Sequence, residues 1–254
     1  MHIEESFICG KHTAADCEDG IVCTPNFVAV IDGSTSKTPL RLDPTMKNGR
    51  FAMLLIRNYI RQMAAEATLE EFCSVLEKPR KILLMVKAGA AVDAEERLTA
   101  SAIVYSEHRK EVWMVGDCQT IVDGMFYENS KPYEQETAMQ RADMINGGMT
   151  PADARHAIEP QIIKAMLEGQ NRLYAVIDGT PIYMPGTRLV SVRSSAVLAS
   201  DGYPTLLPTL RDTEKALAKQ LADDPQNIHS FVATKGLVEG NKSFDDRAYV
   251  RLTV

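Results

Sequence analysis

The sequence lacks a long hydrophobic run, a basic run and a closely spaced pair of cysteines. No apolar stretch approaches the roughly 18 residues that cross a membrane, and the acidic first residues do not have the pattern of a secretory signal. We therefore expect a cytoplasmic protein that does not enter membranes. The formal net charge of −6, together with the missing basic run, argues against a nucleic-acid partner.

The cysteines and histidines also lack the spacings that are typical of metal-binding motifs. The five cysteines are scattered and none forms a CxxC pair, which is typical of free thiols in a reducing compartment. The five histidines are isolated, without HxxxH or HxH spacing. Neither residue type predicts a zinc site or a disulfide framework.

What is present is the composition of an ordinary globular protein, with 45% hydrophobic and 24% charged residues in 254. Without an internal repeat, a low-complexity tract or a linker, we interpret residues 1–254 as one domain. Strand-like runs, helices, a meander, helices and further strands follow one another, including a strand at 173–177 and a helix after Pro225. Because this order does not alternate as in a parallel sheet, it predicts an α+β fold. The elements fit a four-layer α-β-β-α sandwich of two antiparallel sheets flanked by helices.

Four acidic motifs are the most informative feature of the chain. They lie at 17–20 (CEDG), 30–33 (VIDG), 200–202 (SDG) and 244–246 (FDD). Three of them lie at the end or the start of an apolar run. Carboxylates at strand ends are held rigidly at the rim of a sheet and repel one another unless cations lie between them. Ligation by oxygen alone favours Mg²⁺ or Mn²⁺.

Position distinguishes these acids from ordinary turn residues. Asp-Gly is a common turn dipeptide, and the chain has five copies. Asp32 and Asp201 each end a fully apolar run, which is unusual for a hairpin turn. Asp178 ends a similar run, so the pattern alone does not separate it from Asp32.

Taken in order, the motifs resemble those of the PPM-type metal-dependent protein phosphatases, the 2C class of Ser/Thr phosphatases, in a divergent bacterial form. The resemblance extends from about Gly10 to the C-terminus. It rests on six segments, at 18–19, 27–33, 113–119, 131–148, 197–202 and 244–250. Asp178 and Asp123 have no counterpart in the family and are interpreted as turns.

The resemblance implies two Mg²⁺ or Mn²⁺ ions at one end of the sandwich. Asp32 would bridge the two ions, and the carbonyl of Gly33 would contribute to their coordination. Asp201 and Asp245 would hold one of the ions. These three aspartates would thereby activate a shared water for attack on phosphorus.

The acidic pair at 18–19 completes the implied set of ligands. Glu18 or Asp19 would hold the second ion, directly or through water. Asp117 would join Asp201 in a third, weaker site.

The segment that grips phosphate departs from the family pattern. Relatives usually carry an arginine a few residues before the acidic pair, whereas residues 11–16 contain none. Lys11 or His12 would take the substrate phosphate instead, although lysine lacks the bidentate fork of arginine. Ser34 follows the bridging Asp-Gly where eukaryotic members often have histidine. The metal ligands are therefore retained while the substrate contacts differ.

The sequence predicts a metal-dependent phosphatase that acts on phosphoserine or phosphothreonine in a phosphoprotein, or on a small phosphate ester. The alternative is a catalytically weak or inactive protein of the same fold that serves as a metal-binding regulatory or partner-binding module. The Asp32-Gly33 segment also resembles motifs of haloacid dehalogenase and inositol-phosphatase enzymes. Those motifs require an aspartate where this chain has Val30 or Ala29, so neither fits.

Overall fold

The protein is described by a computed structural model that covers residues 1–77, 86–87, 90–91, 94–129 and 131–254. Two five-stranded sheets form its centre, and neighbouring strands within both are antiparallel. The first sheet contains, in spatial order, β1 (His2–Cys9), β12 (Arg247–Thr253), β11 (Ser195–Ala199), β8 (Gln119–Val122) and β9 (Met125–Tyr127). The second contains β10 (Arg188–Ser191), β7 (Glu111–Val115), β6 (Ala100–Ser106), β3 (Phe27–Gly33) and β2 (Asp19–Cys23).

Five α-helices and several short elements complete the described residues. The helices are α1 (Asn48–Ile60), α2 (Leu69–Leu76), α3 (Glu134–Asn146), α4 (Pro151–Gly169) and α5 (Leu210–Asp223). The short elements are a small hairpin of β4 (Val86–Lys87) and β5 (Ala90–Ala91) and two 3₁₀ turns at Ala94–Glu96 and Met184–Gly186. Helix α2 begins with a capping box in which Thr68 and Glu71 bond each other's backbone N–H groups.

The layers follow from the two-residue period of the strands. In β3, Val28 and Val30 face the first sheet and join a core formed by residues of both sheets. Phe27 and Ile31, on the opposite face of β3, pack in a second core with α1 and α2. Trp113 is fully buried in this second core and therefore has a packing role.

A third core lies between the first sheet and α5, where Leu217 packs with Tyr203 and Tyr249. The order of layers is thus helix, sheet, sheet, helix, which confirms the predicted α+β sandwich. Within the described residues, no helix has the length and the apolar character needed to cross a membrane.

Two local predictions are wrong. Residues 173–177 form only isolated bridges, Gln170 with Tyr174 and Ala100 with Ile177, and not a strand. The segment after Pro225 is a loop rather than a helix. It is held because the Asp224 carboxylate accepts hydrogen bonds from the backbone N–H groups of Ile228, His229 and Ser230. A side chain that satisfies three consecutive N–H groups competes directly with helix formation.

Candidate metal centre

The sheet topology brings the acidic strand ends together at one end of the sandwich. Asp19 on β2 lies directly opposite Asp32 on β3. Asp117 follows the end of β7, and Asp201 follows the end of β11 in the other sheet. One carboxylate oxygen from each of Asp32, Asp117 and Asp201 lies within 4.8 Å of the others. Both sheets therefore contribute to a single cluster of three carboxylates.

Burial and mutual repulsion make Asp32 and the neighbouring Asp19 costly to ionise without a cation. Burial, followed by the charges of Asp201, Asp19 and Asp117, raises the pKa of Asp32 well above its ordinary value. Asp19 is 2% exposed, and burial together with the charges of Asp246 and Asp201 raises its pKa to about 7. Like charges held this close are compatible with full ionisation only when a cation lies between them.

Glu18 provides an independent test of whether the site fits a metal ion. Its side chain is 1% exposed, and Thr35 Oγ1 donates a hydrogen bond to Oε2 over 2.8 Å. The other oxygen, Oε1, is buried and has no hydrogen-bond partner among the described residues. Buried carboxylate oxygens are seldom left unpaired. The donor set, all oxygen and mostly carboxylate, therefore fits Mg²⁺ or Mn²⁺.

Glycines allow the backbone to close around this acid. A Cβ atom at Gly49, in the first turn of α1, would lie 2.5 Å from both Glu18 Oε1 and the Gly33 carbonyl oxygen. The N–H of Gly33 donates to the Glu18 carbonyl over 3.1 Å, which fixes the end of β3 against the acidic pair. Gly33 lies at the rim of the cavity described below, and its predicted role as a carbonyl ligand stays a prediction.

Asp117 is already partnered within the protein. Ser101 Oγ donates to Asp117 Oδ1 over 2.5 Å, and the Lys131 ammonium forms an ion pair with Oδ2. Burial raises the pKa of Asp117, but the charge and the hydrogen bond of Lys131 outweigh it and hold the pKa below its ordinary value. A third metal ion would have to compete with Lys131 for this carboxylate.

Asp245 is not one of the three clustered carboxylates. Lys11 Nζ donates to Asp245 Oδ1 over 2.6 Å, and Lys235 forms an ion pair with Oδ2. The neighbouring Asp246 instead accepts the backbone N–H groups of Lys11, at 2.7 Å, and Glu18, at 3.1 Å. Asp246 therefore ties the start of the acidic pair to β12, while the role of Asp245 as a metal ligand stays a prediction.

The two residues proposed to take the substrate phosphate are placed differently. Lys11 lines the cavity beside Asp245. His12 is exposed, and its Nδ1 lies 3.3 Å from the carbonyl oxygen of Gly240. The described lining of the cavity does not include His12.

The other two Asp-Gly aspartates considered above are turn residues. Asp123 accepts backbone N–H groups from Arg193, Ser194 and Ser195, which pins a turn between strands. Asp178 is buried and accepts hydrogen bonds from Asn171 and from both the N–H and the hydroxyl of Thr180. Neither carboxylate belongs to the cluster.

Several supporting residues were not predicted from the sequence. Ser200 Oγ donates to Asp19 Oδ2 over 2.6 Å and accepts the N–H of Ala248 over 2.9 Å, so it links the two sheets below the cluster. Its place directly before Asp201 is the only signal that the sequence offers. Nothing in the sequence pairs Ser101 or Lys131 with Asp117, since these contacts depend on the tertiary fold.

The cluster opens into a cavity of about 920 Å³. Its walls are the ends of the central strands, the helices α3 and α4 and the loop around residues 234–245. Cavities of roughly 300–1,000 Å³ hold ligands the size of a cofactor or a drug. The volume exceeds what a phosphate group alone would need.

No protein-family model and no curated protein sequence matches the chain. Several solved structures are similar to the chain. The PPM Ser-Thr phosphatase MsPP from Mycobacterium smegmatis, in complex with cacodylate, is 16% identical, with a TM-score of 0.46 over 99% of this chain and 98% of its own. The serine/threonine phosphatase PstP of Mycobacterium tuberculosis is 13% identical, with a TM-score of 0.44 over 97% and 96%. A bacterial serine phosphatase is 14% identical, with a TM-score of 0.48 over 100% and 98%.

The lysines on Asp245 allow its predicted ligand role to be tested. We expect Lys11→Met combined with Lys235→Met to tighten Mn²⁺ binding about tenfold, because two competing ammonium groups leave the carboxylate. Isothermal titration calorimetry measures the affinity, with the exposed pair Lys164→Met and Lys242→Met as the control for net charge.

A double-mutant cycle separates ligation from general electrostatics. If Asp245 is a ligand, the gain from the two lysine substitutions should disappear when Asp245→Asn is also present. An equal gain with and without Asp245→Asn would show that Asp245 does not bind the metal.

Proposed function

We propose that the chain is a divergent PPM-type phosphatase that hydrolyses phosphoserine, phosphothreonine or a small phosphate ester with the help of Mg²⁺ or Mn²⁺. The observation that carries this proposal is the cluster of Asp32, Asp117 and Asp201, which both sheets contribute at the mouth of a large cavity. The unpaired Oε1 of the buried Glu18 supports it independently.

The residues of the proposed site have two roles: some would bind the metal ions, and others orient the ligands. Asp32, Asp201 and Glu18 would hold the ions, with Asp19 and Asp245 completing the set. Bound divalent cations lower the pKa of water and stabilise charge on phosphoryl oxygens. Ser200 orients Asp19 through its hydrogen bond, and the protein supplies a cavity in which a phosphate ester is partly withdrawn from solvent.

A covalent mechanism through cysteine is disfavoured. Cys118 is the cysteine nearest to the cluster in sequence, and it is 1% exposed. Burial and the charges of Asp32 and Asp117 raise the pKa of its thiol well above the ordinary value, so it stays protonated. Because the thiolate is the nucleophilic form, Cys118 is unsuited to attack on phosphorus.

A second candidate function is a metal-binding module without turnover, acting through a partner. It is favoured by the lack of an arginine before the acidic pair and by the two lysines that occupy Asp245. For the phosphatase, we propose in addition a cytoplasmic location and a phosphoprotein as the partner.

Turnover of p-nitrophenyl phosphate decides between the two candidates. We expect hydrolysis with millimolar Mn²⁺, its loss on addition of EDTA and its return with excess Mn²⁺. Calorimetric Mn²⁺ binding without any turnover would support the module. Turnover that is unaffected by EDTA would contradict both proposals.

A further inference from the structure

The cavity contains, besides the carboxylate cluster, a set of positively charged side chains. Seven basic residues line the cavity, and four of them come from distant parts of the chain: Lys37 in the loop after β3, Lys131 before α3, Arg155 on α4 and Lys235 in the loop before β12. The charges of Lys235, Arg155 and Lys131 repel the Lys37 ammonium, and the charge of Glu159 attracts it less strongly. The cavity therefore combines the acids at the strand ends with cations on the surrounding loops and helix, where Glu134 and Glu159 also line it.

Lys37 is the least compensated of these cations. It is half-buried, and no acceptor or carboxylate lies within hydrogen-bonding or ion-pairing distance among the residues that the structure describes. Burial, followed by repulsion from the neighbouring cations, lowers the pKa of Lys37 to about 8. A half-buried ammonium without a counter-ion is costly, and a bound anion would remove that cost.

Arg155 is also left with free donors. Its Nη1 donates to the Thr234 carbonyl over 2.9 Å, which fixes the guanidinium against the loop. Within the described chain, the other N–H groups of this side chain have no hydrogen-bond partner or ion pair. Glu159, one turn further along α4, lies within 3.5 Å of the exposed His156, and its charge and that of Glu134 act on Arg155 without forming an ion pair with it. A guanidinium fixed at one nitrogen and free at the others is suited to binding an anion.

Lys37 and Arg155 differ from the lysines of the metal centre in their ion pairs. Lys131 is engaged by Asp117, and Lys11 and Lys235 are engaged by Asp245. Lys37 and Arg155 form no ion pair with any carboxylate at the strand ends. A phosphate held at the strand ends would thus meet the engaged lysines first, and Lys37 with Arg155 would remain available to a second anionic group.

We propose that Lys37 and Arg155 form a subsite for a second anionic group, a phosphate or a carboxylate, on the same molecule whose phosphate ester lies at the metal centre. The proposal rests on the proposed function and names its substrate class as phosphate esters with two acidic groups. The cavity of about 920 Å³ has room for both groups. Two sources share this chemistry: a phosphopeptide with an acidic neighbour and a small bisphosphate.

The test compares substrates that differ only in the second anion. The probes are p-nitrophenyl phosphate, a phosphoserine peptide with neutral flanks, the same peptide with flanking aspartates, fructose 6-phosphate and fructose 1,6-bisphosphate. The variants are Lys37→Met and Arg155→Met, and the control is Lys164→Met, an exposed lysine on the same helix as Arg155. Circular dichroism checks that each variant is folded.

We expect Lys37→Met to raise KM at least tenfold for the doubly anionic substrates, while KM for p-nitrophenyl phosphate and kcat for all of them change less than twofold. Lys164→Met should change none of these values. The arm with the larger effect, peptide or bisphosphate, identifies the source of the second anion. Equal losses on every substrate would overturn the subsite, because the cations would then contact the reacting phosphate; no loss on any substrate would overturn it as well.

A binding measurement tests the subsite even if the protein has no phosphatase activity. If the wild-type protein hydrolyses no ester, the proposed function fails, and calorimetry of fructose 1,6-bisphosphate with the Mn²⁺-loaded protein then decides the subsite alone. Binding that Lys37→Met weakens tenfold and Lys164→Met preserves would support it. Binding that is absent, or unchanged in Lys37→Met, would contradict it.

Discussion

Asp32→Asn and Asp201→Asn are each expected to lower kcat for p-nitrophenyl phosphate by about 10³-fold or more in saturating Mn²⁺. Asparagine keeps the shape of the side chain but removes the negative charge from a cluster whose oxygens lie within 4.8 Å of one another. Cations bound there would lose a charged ligand, and with it much of the stabilisation of charge that develops on the phosphoryl group. Steady-state kinetics across a range of Mn²⁺ concentrations measures the effect.

Asp143→Asn is the matched control for this prediction, because it makes the same change on the exposed surface of α3. It should leave kcat within twofold of the wild-type value. Thermal unfolding should show that the two cluster variants are folded, since each removes a negative charge that repels its neighbours. Near-wild-type turnover of both cluster variants would show that the cluster is not the catalytic centre.

The sandwich was predictable because its physical signals are local. In β3 every residue from Phe27 to Ile31 is buried, as expected for a strand covered on both faces. The segment after Pro225 was mispredicted because the side chain of Asp224 satisfies the N–H groups that a helix would use. Residues 173–177 were mispredicted because an apolar run can pack in a loop as well as in a sheet; residues 174–177 are buried and Leu173 is exposed.

The candidate site was predictable only in part. Family resemblance, and not spacing, separated Asp32 from Asp178, and the structure agrees, since Asp178 is held by Asn171 and Thr180 as a turn residue. The partners of the acids could not be predicted, because Lys131 lies 14 residues from Asp117 in the chain and Ser200 lies 181 residues from Asp19. Such contacts exist only once two sheets have closed on each other.

The same limit applies to the basic side of the cavity. Lys37, Arg155 and Lys235 belong to three separate segments. A solvated charge is the default interpretation of each, and only Lys37 flanks the Asp32-Gly33 segment in the sequence. Only the fold shows that they line one cavity with the carboxylates. Residues that meet only in the folded protein cannot be predicted to form one site from a single sequence. Metal ligands at strand ends can be predicted, because each follows a recognisable apolar run.

Stability without metal should fall as the pH rises from 5 to 7.5. The pKa of Asp19 is about 7 in the folded protein and near 4 in an unfolded chain, and the pKa of Asp32 is raised as well. The folded state therefore binds more protons in this window, so the free energy of unfolding decreases as the pH rises. The carboxyls with lowered pKa values, such as Asp123 and Asp224, titrate below the window, and the pKa of Lys37, about 8, lies above it.

We expect a loss on the order of 3 kcal/mol in EDTA between pH 5 and 7.5, which is a decrease in Tm of roughly 5–10 °C for a chain of this size. Excess Mn²⁺ should restore more of the Tm at pH 7.5 than at pH 5, because protons and cations compete for the same carboxylates. Differential scanning calorimetry measures both effects. Asp32→Asn should flatten the pH dependence in EDTA and raise the Tm at pH 7.5, whereas Asp143→Asn should keep the wild-type profile. A wild-type Tm in EDTA that is equal at the two pH values would show that the buried carboxylates do not repel one another as their geometry implies.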